Sequence, residues 1–293
     1  MNPKDNLKIY NKAFSLVEIS VVILVIGILI AGISKGVDLY QDHQLNIAQN
    51  LTRNSIVNRI GDLVAWYETS LPSSFDANEA KINNGYITKW NDNNTLSIYK
   101  NNATAGTPLN TGNQPIIVKN AFNNSIPGLR FSRSQFLNYN PTSLIKSNYA
   151  IFVVEQRRGS GSNWFLGGTS TSTGSNLHLG YQSNTVLVQS HYNPDLYVTV
   201  SAYARPTPII HTFLFSTNNG LSYSMNGVVK AADSTKTNPI TSYSNPKIGS
   251  VVNIHFYNGD FAEIIMFKKS LQLTEIKAIE SYLGIKHGIA VAK

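Results

Sequence analysis

The stretch Ala13-Phe-Ser-Leu-Val-Glu18-Ile-Ser-Val-Val-Ile-Leu-Val-Ile-Gly27-Ile-Leu-Ile-Ala-Gly32-Ile33 sets the organisation of the whole chain. At about 1.5 Å per helical residue, an apolar run of about 20 residues spans the hydrocarbon of a bilayer. One carboxylate, Glu18, interrupts the run near its start. A lone acid in lipid is costly and persists where it has a partner, so Glu18 is a candidate functional residue.

Upstream of Ala13 the chain holds Lys4, Lys8 and Lys12 against Asp5, with no apolar block. A secretory signal peptide runs from a basic start through its hydrophobic segment to a small-residue cut. Here the small residue comes before the hydrophobic segment. A cut between Ala13 and Phe14 removes the basic leader, keeps the helix and frees an amine on Phe14, four residues before Glu18.

This arrangement resembles the leader of type IV pilins and pseudopilins: a small residue, then Phe-Thr/Ser-Leu-x-Glu, then an apolar helix. Phe14, Ser15, Leu16, Val17 and Glu18 match position by position, and the resemblance covers about the first fifth of the chain. It implies that a prepilin peptidase cuts before Phe14 and methylates the new amine. It also implies that Glu18 and Phe14 direct assembly with other subunits into a filament, the partner amine neutralising the acid. The expected location is the bacterial inner membrane, in a single pass, with the head periplasmic or extracellular. The filament is an adhesive pilus, a DNA-uptake pilus or a type II secretion pseudopilus. Two positions depart from the family pattern: Ala13 stands where Gly is usual, and no proline interrupts the helix, which implies a straighter one.

The expected segments are 1–13 as cleaved leader, 14–60 as helix with 14–34 in the membrane, and 61–293 as head. Val37, Tyr40, Leu45, Ile47, Ala48, Leu51, Ile56, Val57 and Ile60 continue the helix amphipathically, with Gly61 as its break. The rest is polar, rich in Asn, Ser, Thr and Tyr, and without cysteine. A domain of about 200 residues builds a core without disulfides, so their absence does not argue for the cytosol. The formal charge of +8 falls when the leader's three lysines and one aspartate are removed. The remaining cations are scattered, which implies a solvated basic surface and no specific nucleic-acid partner.

After Gly61 the period changes to two. Leu63–Tyr67, Ile116–Val118, Leu129–Phe131, Tyr149–Val154, Trp164–Leu166, Leu177–Leu179, Thr185–Val188, Leu196–Val200, Ile209–Phe215 and Leu221–Met225 read as short strands between turn residues. Asn226-Gly227 is the sharpest hairpin signal. The fold class is mainly β: a long N-terminal helix, an antiparallel sandwich or jelly roll, and a short C-terminal helix over Leu271–Leu283 capped at Gly284.

Asn258-Gly-Asp-Phe-Ala-Glu-Ile-Ile-Met-Phe267 and the helix after it resemble the closing strand and helix of concanavalin A-like (LamG-like) sandwiches. Leu63–Tyr67, Lys89–Asp92, Pro127–Phe131 and Tyr149–Val154 resemble that family's earlier elements. Gln272 departs from the usual Ser or Asp helix cap, so that end is expected to fray.

No strand carries the in-strand carboxylate pair that a retaining glycosidase of this class uses. No catalytic residues are expected, and the chain reads as a non-enzyme. No metal site is expected from His178, His191, His211 and His255, which lack ligand spacing. Asp76, Asn91 and Asp92 offer oxygens that suit Ca²⁺ or a loop that binds nothing. Trp164, Tyr192 and Tyr197, with Tyr181 and Tyr203, read either as a stacking surface for a glycan or surface receptor, or as core and edge residues. The runner-up reading of the whole is a membrane-anchored carbohydrate-binding adhesin.

Overall fold

The structure is a computed structural model describing residues 15–106, 111–202 and 206–292. The chain divides into two units, Met1–His43 and Gln44–Lys293. In the first, every residue from Leu16 to Tyr40 is helical and exposed. A helix hydrophobic on all faces is one that packs in a large core or crosses a membrane. It is the one helix among the described residues long and apolar enough to cross a membrane, with a mean hydropathy of 2.9 in its best window.

The helix runs Leu16–Arg53, and its last turns belong to the second unit. It stops short of the expected end at residue 60. Asn54 folds its side-chain amide back onto the Asn50 carbonyl (2.9 Å), and a 3-10 turn follows at Val57–Arg59. The exit sends Val57 and Ile60 into the head's interior.

The second unit is an antiparallel β-sandwich. One sheet runs Val228–Asp233, Gly220–Met225, Ile209–Ser216, Tyr149–Arg157, Asn258–Phe267, Ile126–Ser132, Ile116–Phe122. Leu63–Glu68 pairs with the far half of Asn258–Phe267, which therefore has partners along its whole length. The other sheet runs Asp195–Thr199, Val186–Ser190, His178–Tyr181, Asn163–Gly167, then four two-residue strands, Lys247–Ile248, Leu137–Asn138, Ala103–Thr104 and Lys89–Trp90. The Asn226-Gly227 turn has φ of 49° and 78°, the positive values a type I′ hairpin demands.

Period two buries both faces of the first sheet. Along Tyr149–Arg157, Tyr149, Ile151 and Val153 enter the core between the sheets, where Phe165, Phe213, Tyr257 and Phe261 pack as rings. Ala150, Phe152 and Val154 enter a second core under the C-terminal helix Leu273–His287, joined by Ala48, Val57 and Ile60. The head is thus three layers, helices on sheet on sheet.

The C-terminal helix corrects two expectations. Its start is closed by Glu275, whose carboxylate accepts from the Gln272 N–H at 2.8 Å, so Gln272 belongs to a capping box. Its left-handed cap is Gly288 (φ 68°), while Gly284 lies inside the helix.

Candidate functional site

The N-terminal helix begins on a reciprocal cap. Ser15 N–H donates to Glu18 Oε2 at 2.7 Å, and Glu18 N–H donates to Ser15 Oγ at 3.2 Å. Helix N-termini leave N–H groups unsatisfied, and a Ser-x-x-Glu box serves two of them. Glu18 therefore spends one oxygen locally, and Oε1 has no partner among the described residues. Ala13 and Phe14, the expected processing residues, lie outside the described residues, as does Tyr203.

Beneath the C-terminal helix the second core holds a buried polar network. Glu68 and Glu263 are direct cross-strand partners. Lys286 Nζ sits between them, 3.0 Å from Glu68 Oε2 and 2.8 Å from Glu263 Oε2, all three side chains fully buried. Glu263 also accepts from Trp66 Nε1 (2.7 Å), Tyr282 Oη (2.8 Å) and His287 Nε2 (3.1 Å). Glu68 accepts from the N–H groups of Ser70 and Leu71 (both 2.8 Å) and from the hydroxyls of Ser70 and Ser74. A register shift between Phe261 and Glu263 turns Glu263 to the helix side next to Ala262, as an inserted residue in a bulge does.

Burial pushes Glu263 up, but Lys286 and the His287 hydrogen bond outweigh it and hold Glu263 at about 2. Burial pushes Lys286 down and Glu263, Tyr282 and Glu68 overcome it, so the ammonium stays charged. Burial holds His287 below its ordinary range. Thr52 Oγ1, at the end of the N-terminal helix, lies 3.3 Å from Tyr282 Oη and 3.3 Å from Ser70 Oγ. The network therefore ties residues 48–53 to two strands and the C-terminal helix. The fold has brought together from two strands a carboxylate pair, Glu68 and Glu263, that is fully buried.

The structure gives Glu263 the helix side of the sheet. Sequence reading passed over Glu68, Lys286 and Glu155. Glu155 is buried in the other core, accepting from Tyr181 Oη (3.1 Å), His211 Nε2 (3.0 Å) and Tyr257 Oη. Glu68 and Glu155 share one signal, a charged residue ending an apolar strand run, whereas Lys286 sits in the last turn of the C-terminal helix.

The three candidate ligand-binding aromatics share the outer face of the second sheet. Trp164, Gly180, Val188 and Tyr197 occupy one cross-strand row. Trp164 is 8% exposed, covered by Val186, Val188, Val251 and Val252, whereas Tyr197 is 56% exposed. Tyr192 lies edge-on to His178, ring centroids 4.3 Å apart. The outer face thus presents one open ring rather than three.

The candidate calcium oxygens have backbone duties. Asp76 caps a short helix, accepting from Asn78 N–H and Glu79 N–H. Asp92 is buried and accepts from the N–H groups of Trp66 (2.8 Å), Asn94 (2.9 Å) and Asn101 (3.1 Å). Asn91 donates to the Ser73 carbonyl. Among the described residues no three His, Cys, Asp or Glu side chains gather as metal ligands.

These bonds instead build a loop. From Asp92 to Asn102 the chain is tied by Asp92, by Asn94 to Leu63 and Leu96, and by Asn101 and Asn140 to each other. Beside it opens a cleft of about 400 Å³ whose lining includes Ser97, Tyr99, Asn102, Asn140, Ser143 and Lys268. A second, apolar groove of about 470 Å³ lies between residues 47–56 and the C-terminal helix, lined by Ile47, Leu51, Ile56, Tyr282 and Ile285.

No protein-family model and no curated protein matches the chain. Solved structures match the fold. Domain 4 of AbnA, a GH43 extracellular arabinanase from Geobacillus stearothermophilus in complex with arabinotriose, superposes with a TM-score of 0.52 and 14% identity, over 75% of this chain and 98% of that one. Trypanosoma rangeli sialidase with the inhibitor DANA gives a TM-score of 0.48 and 11% identity, over 74% of this chain and 32% of that one, so the match spans about a third of the sialidase. The Ruminococcus gnavus IT-sialidase CBM40 bound to α2,6 sialyllactose gives 0.43 and 12%, over 52% of this chain and 96% of that one. At these identities the likeness is one of fold.

Proposed function

We propose that this chain is a filament subunit of the type IV pilin or pseudopilin kind, carrying a sandwich as a binding head with no reaction of its own. A prepilin peptidase removes residues 1–13, the apolar helix holds the subunit in the inner membrane and then in the filament, and the large head fits a minor or tip position. The carrying observation is the helix Leu16–Tyr40, apolar through Ile33 and exposed on every face. Each large apolar side chain left in water forfeits about 1.5–3 kcal/mol of burial, so the segment requires lipid or other copies around it. A plain anchor needs no acid. Glu18 supplies one within the first turn, with Oε1 free to take a cationic amine from a neighbouring copy. The apolar groove beside the C-terminal helix offers such a neighbour further area.

Intact-mass measurement on membranes of the native host is expected to show a chain starting at Phe14 and carrying one methyl. A mature chain retaining Lys4 to Lys12 in the presence of prepilin peptidase overturns the reading. Glu18→Val is expected to insert normally, because the segment becomes more apolar, and to be depleted in sheared filament fractions. Wild-type incorporation of that variant removes the assembly role.

A second reading, a membrane-anchored carbohydrate-binding adhesin, is favoured by the arabinanase domain, matched over 98% of its length and solved with arabinotriose. It shares the head and differs in the filament. Absence of the chain from sheared filaments, with glycan binding intact, selects it.

A further inference from the structure

We propose that the cleft between the loop Asp92–Asn102 and the turn Asn140–Ser143 is the head's ligand site, and that its ligand is an acidic saccharide, a sugar chain bearing carboxylates. The inference rests on the head being a binding domain and gives that binding a place and a chemistry. The loop is held by its hydrogen bonds to Asp92, Asn94 and Asn140, with Thr95 N–H further tied to Asn58 and Tyr99 N–H to Ser97 Oγ. Yet this fixed loop displays Ile98 at 86% and Tyr99 at 84% exposure. A mobile loop exposes rings at random; a tied loop holding a ring in solvent presents a preformed contact, at little entropy cost to a ligand.

The lining sets the chemistry. Asn101 is locked, its Nδ2 donating to Asn140 O at 2.7 Å and its Oδ1 accepting from Asn140 N–H at 2.9 Å. Asn140 Oδ1 is taken by Thr142, and Asn102 Oδ1 by the Asp92 N–H. The bonds to Asn102 and Asn140 occupy the amide oxygen and leave the amide nitrogen. Asn102 Nδ2, Asn140 Nδ2, Ser143 Oγ and Tyr99 Oη make no hydrogen bond among the described residues, and all four side chains line the cleft. Lys100 and Lys268 add two cations. Lys100 Nζ is bonded to Asn94 O, and the acid that faces Lys268, Asp62, stands 3.9 Å away at an exposed site.

A cleft rich in donors and cations selects a ligand rich in acceptors and negative charge. The exposed tyrosine suits the apolar face of a sugar ring. Single-stranded nucleic acid shares the charge, but stacks successive bases on several aromatics. This cleft has one.

The test uses the full chain in detergent and equilibrium binding of oligogalacturonate, sialyllactose, the neutral arabinotriose and lactose, and a single-stranded DNA oligomer. An acidic saccharide is expected to bind at least about tenfold more tightly than the neutral ones, and more weakly as salt rises. Tyr99→Ala and Lys268→Ala are each expected to weaken it about tenfold or more, with Tyr99→Phe largely retaining it and Tyr197→Ala without effect. No binding of either acidic saccharide, equal binding of neutral ones, or tighter binding of DNA overturns the proposal. Binding lost with Tyr197→Ala and kept with Tyr99→Ala overturns the site while leaving a binding head on the sheet's outer face. Processing at Phe14 and filament incorporation of Tyr99→Ala report separately on the subunit reading.

Discussion

Lys286 is the residue on which the second core turns. It neutralises Glu68 and Glu263, which face each other across neighbouring strands, all three side chains being fully buried. Replacing a whole buried ion cluster with apolar residues is often harmless, but removing one partner leaves uncompensated charge and costs about 3–5 kcal/mol. Lys286→Met, similar in volume, is therefore expected to lower stability by about that amount in urea unfolding at pH 7. Glu68→Gln with Glu263→Gln in the same background is expected to recover much of it, which a simple packing defect would not show. The network also sets a pH dependence. Glu263 is held at about 2 in the fold against an ordinary 4.5. A carboxyl with a depressed folded value contributes stability above its unfolded value and loses it as pH falls through the folded one. The urea midpoint is thus expected to begin falling as pH drops below about 6.5, where the unfolded chain takes up the proton that buried His287 refuses, and to fall more steeply from about 4.5 toward pH 2 as Glu263 protonates. A midpoint unchanged between pH 7 and pH 3 would contradict the ionised state of the cluster.

The C-terminal helix shows how packing overrides propensity within one element. Gly284 lies in its interior, where Ala is favoured over Gly by about 1 kcal/mol. A Cβ there would come 2.6 Å from Val291 Cγ2 and 2.8 Å from the Ile289 carbonyl, because the chain after Gly288 folds back across the helix. Ile289 N–H bonds to Gly284 O at 2.9 Å, and Ala292 N–H continues to Asn226 O in the type I′ hairpin. Forcing such a contact apart costs about 1–3 kcal/mol, so Gly284→Ala is expected to be destabilising despite its better propensity. Thermal unfolding checks the sign, and faster hydrogen exchange at Ile289 and Ala292 checks the cause. The element was legible in the sequence because Ile276, Ile279 and Leu283 recur on one face, and most strands were legible for the same reason at period two. What stayed hidden depends on the partner layer. That Tyr149–Val154 is buried on both faces, that Trp164 is roofed by valines, and that Gly284 is interior all follow from segments far away in sequence. Of the candidate calcium oxygens, those of Asn91 and Asp92 stand at the start of a hydrogen-bonded loop, and the backbone N–H groups that occupy Asp92 are set by tertiary placement.

At the scale of the whole molecule, the boundary between anchor and head decides which fragments fold. Residues 44–60 look from the sequence like the end of one long helix, with the head starting at Gly61. The structure puts Ala48, Thr52, Val57 and Ile60 inside the second core, and has Gln49 Nε2 donate to Ser70 O at 3.0 Å. Full burial of a Val or Ile side chain stabilises by about 1.5–3 kcal/mol, so losing Val57 and Ile60 alone removes several kcal/mol. A domain has a net stability of about 5–15 kcal/mol. Deleting residues 44–60 also opens Tyr282 Oη and the Glu263 cluster to water, which withdraws the low-dielectric surroundings on which that network depends. A fragment spanning 44–293 is therefore expected to be soluble and to unfold in one cooperative step, with circular dichroism dominated by strand. A fragment spanning 61–293 is expected to have a clearly lower urea midpoint, and to lose part of the protection of Trp66 and Tyr282 from solvent, read as a red shift in fluorescence. Equal midpoints for the two fragments would show that the head ends where the period changes, at Gly61, and that residues 44–60 rest on it without supporting it.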